Sequence, residues 1–410
     1  MSFANESLGD WNAKVWYILK YIMQYDFDVL IDRRDTDALK IDAMPAIWGR
    51  SDLMPLWVAD MDFATPPFIL NELRHRLEHE ILGYTMRTSR WASSIVAWQQ
   101  NRYGWSIQPE WLNFVPGIVP GIALIINCFT EPGDTILVQP PVYHPYFHVP
   151  QNLGRRLREN ALDLVDGKFQ IDFERFGRDV RGCKLFLLCH PHNPGGRVWT
   201  SDELRRMAEI CHREGVIVVS DEIHADLTLP PFCHVPFAKV SEVAAECCIT
   251  LMSPSKAFNM AGLTSSYSII SDEALRERFH RFLANSELHL GHAFAFNSVA
   301  AAYSHGTEWL EQMLAYVQGN IDYVEQFLAS ELPQIGMIRP QASYLIFLDC
   351  RKLGLSVQEL NALFVDKARL ALNDGAMFGK EGEGFMRLNV ASPRSMIVEA
   401  MYRLKKALLA

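Results

Sequence analysis

The residues best suited to chemistry stand directly after short apolar runs. Asp221-Glu222-Ile223-His224 follows the run 216–220, and His190-Pro191-His192-Asn193-Pro194 follows 184–189. Ser253-Pro254-Ser255-Lys256 follows 248–252, and Pro140-Pro141-Val142-Tyr143 follows 135–139. An acid, an amide, a lysine and an aromatic ring thus come from four separate runs. A lysine walled by apolar sequence loses hydration, which disfavours the ammonium and leaves a nucleophilic amine. Such an amine at Lys256 can condense with an aldehyde cofactor. Asp221 closes a run with no polar residue over 216–219, and a carboxylate there needs a cationic partner. A protonated pyridine nitrogen would serve, and the acid would keep that ring an electron sink. Asn193 can donate to a ring oxygen and Tyr143 can stack on a flat ring. Each has a plainer alternative: a surface lysine, a structural ion pair, an Asn-Pro turn, a core tyrosine. Their convergence is the signal.

The elements that must position these groups are legible in outline. The runs 135–139, 184–189, 216–220, 248–252 and 266–270 are short, continuous and apolar, as buried parallel strands are. Helical patterns lie between several of them. The clearest, 200–213, opens with Thr200 and carries Glu203 three residues on, a capping box. Strands alternating with helices predict an α/β fold with a doubly wound, mostly parallel sheet, which binds ligands at the carboxyl ends of its strands. Beyond about residue 305 the pattern changes to a long helix near 307–330, a strand near 343–348, a helix near 357–368, a strand at 385–390 and a last helix from Pro393. The expected organisation is a large cofactor-binding domain over 65–305 and a smaller α+β domain over 306–410. Residues 1–64 are expected to pack with the small domain, since Pro66 and Pro67 open the first long helix only afterwards.

Composition bounds the function. At 410 residues the chain exceeds one ordinary core, and 49% apolar with 21% charged residues is usual for a soluble globular protein. The net charge of -9 argues against general nucleic-acid binding. The eight cysteines include no C-x-x-C pair, which fits reduced thiols in the cytoplasm. No run approaches the ~20 apolar residues of a membrane span. The apolar stretch 11–23 is interrupted by Lys20 and makes a poor signal peptide. It is expected to be either a helix on the body or an extension not needed for catalysis, upstream of a start at Met23. Ser253-x-x-Lys256 lacks the partner motifs of penicillin-recognising enzymes. His144 with His148, and His190 with His192, lack acidic or cysteine partners at convincing spacing, so no metal site is expected.

Ser253-x-Ser255-Lys256-x-Phe258, His192-Asn193-Pro194-x-Gly196 and Ser220-Asp221-Glu222 resemble the signatures of fold-type I pyridoxal-phosphate enzymes, the aspartate aminotransferase superfamily. The resemblance runs from about Tyr25 to the C-terminus. Four further stretches resemble the cystathionine β-lyase branch of bacterial C–S lyases, which uses this fold for β-elimination. They are Trp57-Val58-Ala59-Asp60-Met61-Asp62-Phe63, Asp221-Glu222-Ile223-His224, Phe258-Asn259-x-x-Gly262-Leu263-Thr264 and Gly384-Phe385-Met386-Arg387-Leu388-Asn389.

The resemblance implies pyridoxal 5'-phosphate on Lys256, which later carries the substrate proton. It implies Asp221 on the pyridine nitrogen, Asn193 on the ring hydroxyl oxygen, Tyr143 on the ring face and His224 beside the ring. Phosphate would lie on Ser253, Ser255 and a helix N-terminus at Ile118 and Val119, where Pro120 suits the first turn. Arg387 would bind the α-carboxylate of an amino-acid substrate, with Ala59 lining the same site. Phe385, Arg387 and Asn389 then share one strand face. Tyr84 matches a tyrosine that reaches the neighbouring subunit's phosphate, which implies a homodimer with shared active sites. Many aminotransferases carry arginine where this chain has Thr264, tyrosine where it has His224 and threonine where it has Gly195. The expected activity is β-elimination from cystathionine or a related thioether amino acid. The competing readings are an aminotransferase of the same fold and a cofactor-binding regulatory protein.

Overall fold

The computed structural model describes residues 24–409. The helix or extension expected over 11–23 lies outside them. A seven-stranded sheet runs, in spatial order, Leu112–Val115, Ser266–Ile269, Cys248–Met252, Ile217–Asp221, Leu185–Cys189, Thr135–Val138, Arg156–Glu159. The last five are mutually parallel. Four of the five expected strands hold to within about a residue at each end, direction included. The fifth, over 266–270, is a strand at Ser266–Ile269 but antiparallel to both neighbours, which corrects the parallel expectation. Its connection from Met252 holds only a short 3-10 turn at Ala261–Leu263, too little for the helical crossover that parallel pairing needs.

Two strands of the sheet had no sequence expectation. Arg156–Glu159 is a charged edge strand, the composition that keeps edges from pairing with other chains. Leu112–Val115 sits at the opposite edge, wholly buried. Helices pack on the sheet because their apolar stripes match it. Ser201–Arg213 buries Leu204, Met207, Ala208, Ile210 and Cys211, and Thr200 with Glu203 makes the full capping box. Ile118–Phe129 is apolar on nearly every side and is buried against the sheet's other face.

Past residue 305, Thr307–Glu331 is one long helix. Behind it lies a four-stranded sheet in the order Gly336–Ile338, Leu345–Asp349, Phe385–Asn389, Asn373–Asp374. The helix expected over 357–368 is α-helical at Val357–Ala362 and continues as a π turn over Leu363–Lys367. The N-terminal segment crosses to this side: Met54–Pro55 pairs in parallel with Leu370–Ala371. Short helices at Leu39–Asp42 and Met44–Trp48 precede the first long one, Pro67–Leu77, with Pro66 as its cap. Among the described residues no helix is long and apolar enough to cross a membrane.

Candidate active site

Parallel register sets Cys189 beside Asp221 and Asp221 beside Leu251, so three strands end on one rim. Asp221 is buried there. Its Oδ2 accepts from the Tyr146 hydroxyl at 2.9 Å and its Oδ1 from the Ile223 N–H at 3.1 Å. Burial pushes its carboxyl up to about 6, against those two bonds. Among the described residues no cation forms an ion pair with it.

Lys256 follows the next strand in a tight turn. Its Nζ donates to the Ala59 carbonyl at 2.6 Å, and the Tyr344 hydroxyl donates to the same oxygen at 3.0 Å. Burial holds its ammonium down at about 8, helped by Arg387 and opposed by Asp60 and Asp221. The amine is therefore partly free near neutral pH, as a nucleophile or base requires.

Arg387 is buried on the strand Phe385–Asn389. It donates to Asn373 Oδ1 at 2.6 Å, Trp57 O at 3.0 Å and Asn193 Oδ1 at 3.2 Å, all neutral acceptors. Its Nε is buried without a partner, and Phe378 lies under the guanidinium at 4.9 Å. Burial pulls its pKa down to about 10. A buried guanidinium with no carboxylate is costly, and a substrate carboxylate answers it.

Asn193, Tyr143 and His224 lie beside these three. Asn193 is buried, and its backbone N–H donates to Cys189 Sγ at 3.2 Å. With its Oδ1 committed to Arg387, the donor left is Nδ2, the polarity that a ring oxygen requires. Tyr143 is partly buried, and its phenol, raised mainly by burial, faces Arg387 and Asp221. His224 is buried and held neutral: desolvation, Lys256 and Arg387 push it down to about 3. Its Nδ1 has no partner. Ile118 and Val119 open the helix after Gly117 with no capping side chain. Ser253 Oγ accepts the Ser255 N–H at 3.2 Å. Tyr84 stands apart from all of these, fully exposed.

Sequence reasoning passed over several contributors. Tyr146 lies one helical turn after Tyr143, a spacing that could have flagged it. The Ser265 hydroxyl is buried without a partner, and the Ser265 carbonyl accepts from Ser253 Oγ at 3.5 Å. Asn389 donates to the carbonyls of Val58 and Asp60, both at 2.6 Å, and Asn259 bonds Met61 and Phe63. Both asparagines stood in the quoted stretches, without an assigned task. Asn373 gave no signal. Thr264 turns to His292 at 3.1 Å and is exposed. The Gly195 departure has a steric cause: a Cβ there would lie 2.4 Å from the Phe169 ring and 2.9 Å from His192 Nδ1.

Three of the unanswered groups bear on what the site can take. Asp221 lacks a cation, Arg387 lacks a carboxylate and the buried Ser265 hydroxyl lacks any partner. A pyridinium, an amino-acid carboxylate and a phosphate oxygen fit them in turn.

Residues 51–404 match the model of the family aminotransferase class I and II. Cystathionine beta-lyase PatB of Bacillus subtilis is 41% identical over 93% of this chain and 100% of its own. Protein MalY of Escherichia coli is 32% identical over 94% of this chain and 99% of its own. Among solved structures, cystalysin from Treponema denticola, which contains a pyridoxal 5'-phosphate cofactor, superposes with a TM-score of 0.90 at 34% identity. That match covers 94% of this chain and 99% of cystalysin. A PLP-bound C–S lyase from Staphylococcus hominis gives a TM-score of 0.88 at 32% identity, over 95% and 99% of the two chains. Matched along nearly its whole length by the family model and by these relatives, the chain belongs to the aminotransferase class I and II family.

Proposed function

We propose that the protein is a pyridoxal 5'-phosphate-dependent C–S β-lyase acting on cystathionine or a related thioether amino acid. One observation carries this most: a buried, carboxylate-free Arg387 within bonding reach of Asn193, in a site that also holds Lys256 and Asp221. The named lyase relatives support the reaction class, as do His224 and Thr264 at positions where aminotransferases commonly differ.

Lys256 would hold the cofactor, Asp221 its ring nitrogen, Asn193 its ring oxygen and Tyr143 its face, with His224 alongside. Ser253, Ser255 and the N–H groups of Ile118 and Val119 would take its phosphate, joined by Ser265. When bound, the cofactor withdraws electrons from the substrate's α-carbon and acidifies its C–H. Arg387 fixes the α-carboxylate, which orients that C–H for removal. Lys256 Nζ, desolvated and partly free as an amine near neutral pH, would take that proton. The Cβ–S bond breaks with its electron pair leaving on sulfur. With one water consumed, cystathionine gives homocysteine, pyruvate and ammonia. The Ala59 carbonyl, which accepts from Lys256 Nζ, steers that amine.

The same reading takes the protein as a homodimer with Tyr84 completing the partner's site. Tyr84 is fully exposed amid exposed Leu77, Ile81, Leu82 and Met86, an apolar surface of the kind that a second copy covers. It divides the chain as expected, 1–64 with 306–410 against 65–305, in line with the pairing of Met54–Pro55 and Leu370–Ala371. A cytoplasmic setting agrees with eight free cysteines.

Purified protein incubated with L-cystathionine, without added keto acid, should release pyruvate and free thiol. Neither product, alongside rapid amino transfer to 2-oxoglutarate, would leave an aminotransferase instead. Light scattering should give a dimer mass; a monomer with full activity would remove Tyr84 from the site.

A further inference from the structure

The Tyr146 ring and hydroxyl are wholly buried, and the hydroxyl donates to Asp221 Oδ2 at 2.9 Å. The Ile223 N–H occupies the other carboxylate oxygen. Two donors on two oxygens fix the rotamer of Asp221 and favour its ionised form. The Cys189 thiol also faces this hydroxyl, and its sulfur accepts the Asn193 N–H at 3.2 Å. Tyr146 therefore touches both supports of the expected ring, one directly and one through Cys189. The turn that brings Tyr143 to the site also places Tyr146, whose N–H donates to the Tyr143 carbonyl at 2.9 Å.

We infer that Tyr146 is a positioning residue for the cofactor: its hydroxyl holds Asp221 ionised and aimed at the ring nitrogen. This rests on the reading that Asp221 meets that nitrogen. The titratable groups facing Asp221 are Tyr143, Tyr146, Cys189, Glu222 and Lys256. Only Lys256 is a cation, and it is itself desolvated. Buried Tyr146 stays protonated, its own ionisation pushed far up by desolvation, so it is a permanent donor. Without that donor, Oδ2 is left in apolar surroundings and the carboxyl moves further above about 6 toward its neutral form. A neutral carboxyl cannot balance a ring cation.

The test is Tyr146→Phe, which removes one oxygen and keeps the ring. Cofactor-free protein is titrated with pyridoxal phosphate across pH 5.5 to 8.5. The dissociation constant should rise about tenfold or more near neutral pH, the scale of a lost hydrogen bond to a charged group. The loss of affinity on the acid side should begin at a higher pH than in wild type. In an Asp221→Asn background the same change should add little, because its target is gone. Tyr303→Phe cuts another buried hydroxyl pair, Tyr267–Tyr303 at 2.8 Å, and should lower thermal stability without moving the affinity profile. Tyr146→His, which keeps a ring donor, should fall between wild type and Tyr146→Phe and stands in if the latter does not fold. An unchanged affinity and pH profile in Tyr146→Phe, or equal losses with and without Asp221, overturns the inference alone. No binding by wild type, or wild-type affinity in Asp221→Asn, overturns the functional reading and the inference with it.

Discussion

On the floor of the site, Asp221 and Cys189 are register partners on adjacent strands, and Asn193 follows Cys189 by four residues. On the facing wall, the loop 57–63 takes its contacts from far along the chain. Asn389 reaches the Val58 carbonyl across 331 residues, Asn259 reaches Met61 across 198 and Lys256 reaches Ala59 across 197. Arg33 and Lys40 clamp the outer side of the loop through Asp60 and Asp62, with Arg33 Nη2 at 2.6 Å from Asp60 and Lys40 Nζ at 2.8 Å from Asp62. The floor needs only a correctly paired sheet. The wall needs the N-terminal segment, the C-terminal sheet and the turn after Lys256 closed together. On the proposed reading, the floor is the part that would hold the cofactor and the wall the part that would meet substrate.

The largest effect is expected where floor and wall meet. On the proposed reading, Lys256→Ala removes both the cofactor attachment and the proton carrier, and turnover should fall by several orders of magnitude. Borohydride treatment of the wild type should fix the cofactor on Lys256; label on another lysine would break the assignment. Arg387→Ala is next. It should keep the bound-cofactor spectrum while kcat/KM falls by a factor corresponding to about 2–5 kcal/mol, the cost of truncating one partner of a buried charged pair. Unchanged kcat/KM would take Arg387 out of the site.

Asn389→Ala sharpens the comparison. It frees two backbone carbonyls of the wall at about 1–3 kcal/mol, so KM should rise while cofactor affinity holds. Equal loss of both would mean that floor and wall are one unit. The smallest effect is on stability. The Lys256 ammonium is held at about 8, below its ordinary 10.5. The unfolded chain therefore binds more protons between those values, and folding bears this penalty fully below pH 8 and loses it toward pH 10.5. Cofactor-free Lys256→Met should be more stable than wild type at pH 7 in urea unfolding, with the gap closing by pH 10. A constant gap would mean that the amine is not desolvated.

That division also marks what the sequence could tell. Strand ends are local: an apolar run followed by Asp221 or Asn193 announces both an element and its rim, and those placements came through. Lys256 was legible for the same reason. The wall was announced only by the resemblance of the stretch 57–63 and by Ala59 within it; its contacts were not legible, because its polar atoms are mostly backbone carbonyls, which no residue type advertises. Asn373 became a ligand of Arg387 only through antiparallel register with it. The direction of Ser266–Ile269 was missed because an apolar run reads alike in either orientation, and only its short connection decides. Arg156–Glu159 was missed because a charged edge strand carries no apolar run at all.

The tight packing at Gly195 bears on how such a chain can change. Phe169, from the small hairpin of Asp163–Val165 with Lys168–Gln170, fills the volume that a side chain at 195 would enter. Threonine at 195 is therefore closed to this background, whatever it would contribute to the neighbouring Asn193. Overpacking of that kind commonly costs about 1–3 kcal/mol. Cutting back Phe169 removes the closest clash and leaves only His192 Nδ1, 2.9 Å from that Cβ, to give way. The two positions must be exchanged in a fixed order, hairpin first, so a lineage or a library sampling one site at a time is steered away from residue 195 by a ring 26 positions upstream.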